Sequence, residues 1–411
     1  MSIVRSRLKD VVTDLRGEAA FAYIARAREV ARRKGLKVIS FGIGQPDIPT
    51  FDPIIEEGKR ALDERFTAYT ETPGIPELRE AIALYLRTRY GADVSQQEVV
   101  VTPGTKTAIF MALAAVVDRD DEVIIHDPTY PAYPEVTKLF RGRPVFVPLK
   151  FEPEKGFDLD PKAIENAITE RTKVIVINNP HNPTGAVFDE QSLRKVLEIA
   201  KDHRIVVVVD EIYDNFVYPP RKFVSILQLD PEWKKYVIYI NGFSKTFSMT
   251  GWRLGYLVAD REIIDYMKKL GVNMYSCPPS ISQKAGIRAL RDDVVWDYVK
   301  RMIEVFRERR DVMYEELKKV PGFEVYKGDG AFYLFPRIEK TLEMLSMDVE
   351  SFVNWLIEEH GVVILPGTAF SYSEIGKKHV RFSYAVSTSS IREGVERIRR
   401  AIETKLSAQR S

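Results

Sequence analysis

Apolar residues recur along this chain in two rhythms. Between residues 98 and 258 they form short continuous runs rich in valine and isoleucine, at 98–102, 122–126, 144–147, 173–177, 205–209, 237–240 and 254–258. Runs of this length and composition predict strands buried on both faces, as in a largely parallel sheet covered by helices. Elsewhere the spacing is three or four. Phe21, Ile24, Ala27, Val30 and Ala31 share one face of a helix predicted over 18–34 and stopped at Gly35. Leu78, Ile82, Tyr85 and Leu86 predict a second helix over 75–90, with Pro76 in its first turn and Gly91 beyond its end. Val295, Val299, Met302, Phe306, Met313 and Leu317 continue a long helical stretch beyond Pro279, which Pro321-Gly322 breaks.

Together these elements predict an α/β fold with two domains. Residues 49–290 are expected to form a large domain around a doubly wound, mostly parallel seven-stranded sheet. Residues 1–48 and 291–411 are expected to form a smaller, discontinuous α+β domain, with strands at 38–44, 330–334, 362–365 and 380–384 and a closing helix at 391–404. The N-terminal helix would pack with this smaller part, and the long helix would link the two. No internal repeat or low-complexity segment interrupts the pattern.

Length and composition agree with two cores, since 411 residues at 45% hydrophobic content exceed what one core holds comfortably. The 61 basic and 59 acidic residues nearly cancel, so no basic surface for nucleic acid is expected. The first ten residues lack the apolar core of a secretory signal, and no run approaches a membrane span, so a cytoplasmic location is expected. Cys277, the one cysteine, cannot make an intramolecular disulfide or a multi-thiolate metal site, and five scattered histidines argue against catalytic zinc; no metal is expected. Charged residues reach 29% while asparagine and glutamine are few, a bias associated with heat-stable proteins.

Three polar constellations follow three of the predicted strands. Asn178-Asn179-Pro180-His181-Asn182-Pro183-Thr184-Gly185 follows 173–177, Asp210-Glu211-Ile212-Tyr213 follows 205–209, and Ser244-Lys245 through Arg253 follows 237–240. In an open α/β sheet, ligands gather outside the carboxyl ends of the strands. A lysine that can condense with an aldehyde, beside an aspartate that can hold a ring nitrogen protonated, suits pyridoxal phosphate (PLP). A fourth turn, Val101-Thr102-Pro103-Gly104-Thr105-Lys106, joins a strand to a helix whose free amides favour an anion. Taken singly, each residue has a plainer reading: Lys245 as a surface lysine, Asp210 as a helix N-cap, Asn182 as a turn former, Tyr130 as a core tyrosine, Arg253 in a structural salt bridge, Lys106 as a solvated lysine.

In their order, from Gly42-Ile43-Gly44-Gln45-Pro46-Asp47 to Val380-Arg381-Phe382-Ser383-Tyr384-Ala385, these segments resemble the fold-type I PLP-dependent aminotransferases of class I/II, and among them the aspartate aminotransferase family. The resemblance implies catalytic roles for Lys245 (Schiff-base lysine and proton shuttle), Asp210 (partner of the pyridine nitrogen) and Tyr213. It implies that Tyr213 and Asn182 hydrogen-bond the cofactor's phenolic oxygen and that Tyr130 stacks on its ring. Gly104, Thr105 and Lys106 would make phosphate or adjacent contacts, with Arg253 as charged partner and Ser244 as hydroxyl donor. Tyr69 would reach the phosphate of a neighbouring subunit, giving a homodimer with shared active sites.

For the substrate, the same resemblance implies Arg381 on the α-carboxylate, with Gly44, Tyr130 and Asn182 beside it and Lys106 on a distal carboxylate. The expected reaction is ping-pong transfer of an amino group from an L-amino acid, aspartate first, to 2-oxoglutarate. An aromatic or broader donor range stays open, because Trp252 and its aromatic surroundings suit a wider pocket, and a PLP-dependent C–S lyase on the same scaffold is the more distant alternative. No basic helix-turn-helix extension precedes the fold, so a regulatory DNA-binding module is not expected.

Overall fold

In the computed structural model, which describes Arg5, residues 8–152 and residues 155–410, the valine-rich runs assemble into one sheet. Its strands are β1 (Val99–Thr102), β2 (Glu122–Asp127), β3 (Arg143–Pro148), β4 (Thr172–Asn178), β5 (Val206–Asp210), β6 (Val237–Gly242) and β7 (Gly255–Val258), in the order β1-β7-β6-β5-β4-β2-β3. β3, β2, β4, β5 and β6 run parallel, and β7 is antiparallel to both neighbours. The expected mostly parallel sheet of seven strands is therefore present.

Alternate residues of each strand feed two different cores, as the two-residue period of a strand requires. Val101, Ile124, Ile175, Ile177, Val207 and Val209 join the larger core, while Val100, Val123, Ile125, Val174, Val176, Val208, Ile238 and Ile240 join the smaller one on the opposite face. Because β4, β5 and β6 are neighbours, Asn178 lies in register with Asp210, and Asp210 with Ile240. The three constellations thus emerge side by side.

The N-terminal segment joins the C-terminal third. The helix Ala19–Lys34 ends at Gly35, whose φ of 67° suits glycine, and Arg26 and Arg33 pair with Glu358 on the helix Val349–His360 at 3.1 and 2.6 Å. Ile39–Ser40 pairs in parallel with Val362–Val363, and Tyr333–Leu334, Val380–Ser383 and Leu365–Pro366 form a three-stranded antiparallel sheet with Val380–Ser383 central. Residues 1–4, 6 and 7 of the expected segment 1–48 lie outside the described residues.

Several expectations need correction. The apolar run 362–365 is not one strand: Val362–Val363 serves one sheet and Leu365–Pro366 another. The run 330–334 contracts to Tyr333–Leu334, because Ala331 takes a positive φ of 51° and donates its amide to the Phe216 carbonyl instead. The strand expected over 38–44 keeps only Ile39–Ser40. The stretch after Pro279 is two helices, Ser280–Arg291 and Asp293–Leu317, divided where the Asp292 side chain caps the amide of Val294. The closing helix is longer than expected, Thr388–Arg410. Phe21, assigned to the buried stripe of the first helix, is 69% exposed, because that helical turn overhangs an open cleft. Among the described residues no helix is long and apolar enough to cross a membrane.

Candidate active site

β6 ends at Gly242, and the chain turns through buried Phe243 and Ser244 to Lys245. The Lys245 ammonium donates a hydrogen bond to the carbonyl of Gly44 and stands 5.8 and 5.7 Å from the ring centres of Tyr213 and Phe332. Burial, aided by the positive charge of Arg381, pushes this amine down to about 8 against the opposing pull of Glu18 and Asp210.

Asp210 closes β5 and is buried. Its carboxylate accepts hydrogen bonds from the Tyr133 hydroxyl at 2.9 Å and the Ile212 amide at 3.0 Å. Burial pushes the carboxyl up to about 6, and those two hydrogen bonds restrain the rise. Asn178, at the end of β4, donates to the Asp210 carbonyl at 3.1 Å and accepts from the Asn182 amide at 2.9 Å, which fixes the turn carrying Asn182. The hydroxyls of Tyr213 and Tyr333 share a hydrogen bond of 2.8 Å.

Arg381, on the central strand of the small sheet, is only 4% exposed. It donates to the Asn182 side-chain oxygen at 2.9 Å and to the Gly42 carbonyl at 2.8 Å, and its guanidinium lies 4.3 to 4.4 Å from the ring centres of Phe370 and Tyr333. Its Nε is buried without a hydrogen-bond partner. Gly44 faces the same space: a Cβ there would stand 2.3 Å from the Tyr333 hydroxyl.

The turn after β1 makes a second polar corner. Gly104 has φ 82°, and a Cβ on it would meet the Arg253 guanidinium at 2.3 Å. A Cβ on Gly255 would meet the Thr105 amide nitrogen at 2.5 Å, and one on Gly242 the Thr105 hydroxyl at 2.6 Å. Three glycines therefore seat the start of the helix Thr105–Val116 on the sheet's end, with no side chain capping its first turn and the Thr105 hydroxyl buried and unpartnered.

At the mouth, Lys106 pairs with Glu18, whose carboxylate also accepts from the Tyr130 hydroxyl at 2.8 Å. Burial opposes the charge on Glu18, yet the hydrogen bond and charge of Lys106 hold it below the usual carboxylate range.

One cleft of about 390 Å³, within the span of small-molecule sites, gathers Gly44, Thr105, Lys106, Tyr130, Asn182, Asp210, Tyr213, Ser244, Lys245, Arg253 and Arg381 along its wall. Gly104 lies just behind that wall, under Arg253. Tyr69 is not in the cleft of its own chain and is 89% exposed. Trp252 does not widen the pocket; its indole donates to Thr50 at 3.1 Å and packs over Gly58.

Sequence reasoning missed Glu18, Tyr133, Asn178 and Tyr333. Tyr133 follows Tyr130 at helical spacing and Asn178 opens the Asn-Asn-Pro segment, so those two carried a signal; Glu18 and Tyr333 carried none.

Residues 37–398 match the family profile "Aminotransferase class I and II". An aspartate aminotransferase of Sulfolobus acidocaldarius is 49% identical over 382 residues, covering 93% of this chain and 94% of that protein. The aromatic-amino-acid aminotransferase 2 of Thermococcus litoralis is 37% identical, covering 90% of this chain and 92% of its own. The structure of Thermus thermophilus aspartate aminotransferase with maleate superposes with a TM-score of 0.88 at 34% identity, covering 96% of this chain and 99% of that one. A half-buried lysine and a buried aspartate and arginine meeting over strand ends, in a chain matched this closely along nearly its whole length, place it among the class I and II aminotransferases, enzymes that pass an amino group between amino acids and 2-oxo acids.

Proposed function

We propose that the protein is a PLP-dependent aminotransferase whose preferred donor is aspartate and whose acceptor is 2-oxoglutarate, working by a ping-pong mechanism. The donor set fits PLP. The unpartnered Thr105 hydroxyl, the uncapped helix start and Arg253 suit a phosphate, with Ser244 close by. The buried Asp210 carboxyl, raised to about 6 by burial although its hydrogen bonds and the charge of Lys245 pull it down, suits a protonated pyridine nitrogen that would hold it ionised. Tyr213 and Asn182 supply polar groups for the phenolic oxygen, and Tyr130 a ring face. When bound, PLP supplies a carbonyl with which amines condense and a ring that accepts the electrons left by a departing α-proton.

Within that site Lys245 supplies the covalent amine and then carries the proton to and from the substrate α-carbon. An amine brought down to about 8 is far more often neutral near physiological pH than an ordinary lysine. Arg381 binds the substrate α-carboxylate, its unpartnered Nε leaving one donor unspent and its aromatic neighbours excluding water. Gly44 lends its backbone beside it. Residues 1–48 and 291–411 act as a small domain that closes on the large domain, residues 49–290, when Arg381 is engaged. Tyr69, exposed on the single chain, contacts the cofactor phosphate of a second subunit in a homodimer located in the cytoplasm.

The observation that carries the aspartate preference is the Lys106 ammonium at the cleft mouth, a cation able to receive a second carboxylate. The aspartate aminotransferase names of relatives, and maleate, a dicarboxylate, in the Thermus structure support it. A neutral-donor reading also has support, because Phe21, Ile24 and Ile43 line the same mouth and one relative is named for aromatic amino acids. A donor panel with 2-oxoglutarate decides between them: aspartate turns over fastest, and Lys106→Ala loses aspartate activity while sparing an aromatic donor. Equal losses for both donors would exclude the assignment.

A further inference from the structure

Glu18 immediately precedes the helix Ala19–Lys34 and reaches across to the opposite wall of the cleft, 88 residues away in sequence, to pair with Lys106. The same carboxylate oxygen accepts the Tyr130 hydroxyl at 2.8 Å. Lys106 stands 5.8 Å from the centre of the Tyr130 ring, so all three groups share one corner. The side chains of Lys106 and Glu18 are not locked by burial, being 52% and 29% exposed.

We propose that Glu18 is an internal counter-anion that sets the donor range by occupying Lys106 in place of a substrate carboxylate. This rests on the reading of Lys106 as the partner of a distal carboxylate. With Glu18 on Lys106 the corner is electrically neutral and borders Phe21, Ile24 and Ile43, a surface that accepts an apolar side chain. An acidic donor brings a second carboxylate to one ammonium. Like charges sharing a site repel, so that donor binds only as Glu18 gives up its place. The arrangement lets one pocket accept both kinds of side chain, at the expense of affinity for the acidic one.

The test uses the PLP-loaded enzyme and Glu18→Gln, whose amide oxygen still accepts the Tyr130 hydroxyl. Steady-state kinetics are measured with aspartate and with phenylalanine, the acceptor saturating, together with dissociation constants for succinate and 3-phenylpropionate. The expected result is an aspartate KM lower by about fivefold, the range of one partly exposed ion pair, with kcat changed by less than about twofold. The phenylalanine KM rises because Lys106 is left unpaired beside an apolar group, succinate binds tighter and 3-phenylpropionate weaker, and Glu18→Asp retains the wild-type preference. Equal weakening of both donors and both acids, the result of merely loosening the helix start, overturns the proposal. So does an unchanged ratio. Failure of the Lys106 reading appears separately, as undiminished aspartate turnover in Lys106→Ala, and it removes the proposal with it.

Discussion

Arg309 grips Asp47 through two hydrogen bonds, Nη1 to Oδ1 at 2.5 Å and Nη2 to Oδ2 at 3.0 Å. The arginine rises from the long helix Asp293–Leu317, is itself buried, and lies 5.2 Å from the Phe306 ring centre. The aspartate ends the segment 42–47, whose Gly42 carbonyl accepts from Arg381 and whose Gly44 carbonyl accepts from Lys245. A bidentate pair of this kind restricts both partners to one geometry, so it anchors the backbone that supplies part of the cleft's polar wall.

Replacing Asp47 by asparagine keeps the shape but strands a buried guanidinium charge. Breaking a fully buried pair costs about 3–5 kcal/mol; Asp47 is 36% exposed, so the expected loss is smaller, about 2 kcal/mol. Urea unfolding should show a lower midpoint at an unchanged slope. A rise in donor KM should accompany it, since the Gly42 and Gly44 carbonyls lose their anchor.

Tyr133 is expected to tune Asp210. Its hydroxyl restrains a carboxyl that burial drives from an ordinary 3.8 up to about 6, so Tyr133→Phe lets it rise further. An aspartate that protonates more readily holds a pyridinium less well, and the acid limb of cofactor affinity should move up by about one pH unit, equivalent to ~1.4 kcal/mol. Titration of the apo-protein with PLP between pH 4 and 8 measures this. An acid limb unmoved in the variant would show that the tyrosine is only packing.

The elements that were legible in the sequence are those whose pattern is dictated locally. Val174 to Ile177 reads as a strand because both faces are covered, and the Pro76 and Gly91 boundaries read correctly because each acts on its own backbone. The cleft residues that follow β4, β5 and β6 were legible because those strands are neighbours. What was hidden depends on distant partners. Glu18 is indistinguishable from any helix-start acid until Lys106 arrives from 88 residues away, and Tyr133 meets Asp210 across 77. Ile364 separates two strands assigned to different sheets, a division no apolar run can announce.

The glycine seat at the phosphate corner predicts a sharp steric response. In Gly255→Ala the new methyl would lie 2.5 Å from the Thr105 amide nitrogen, a backbone atom that cannot swing aside. Overpacking of this kind costs roughly 1–3 kcal/mol. The melting temperature should drop, and PLP affinity should fall more than tenfold because the displaced amides are the ones proposed to hold phosphate. Gly251→Ala, where a methyl meets nothing within 4 Å, is the control and should change neither.

Lys245 gives the clearest dependence on pH. Its amine is lowered from 10.5 to about 8, so between those values the unfolded chain holds the proton and the folded chain does not. Stability of the apo-protein therefore rises with pH across that window, is complete above the unfolded value, and is lost as pH falls through about 8. Lys245→Met should remove this slope in urea midpoints taken at several pH values, and should cut turnover by more than about 10⁴-fold, since nucleophile and proton carrier disappear together. In the unmodified protein, the rate at which apo-enzyme captures PLP, followed by borohydride trapping at Lys245, should rise with pH to a midpoint near 8. Arg381→Leu removes a repelling charge and should move that midpoint up; Glu18→Gln removes an attracting one and should move it down. A midpoint near 10 in the wild-type protein would mean that the lysine is solvated rather than held in the cleft.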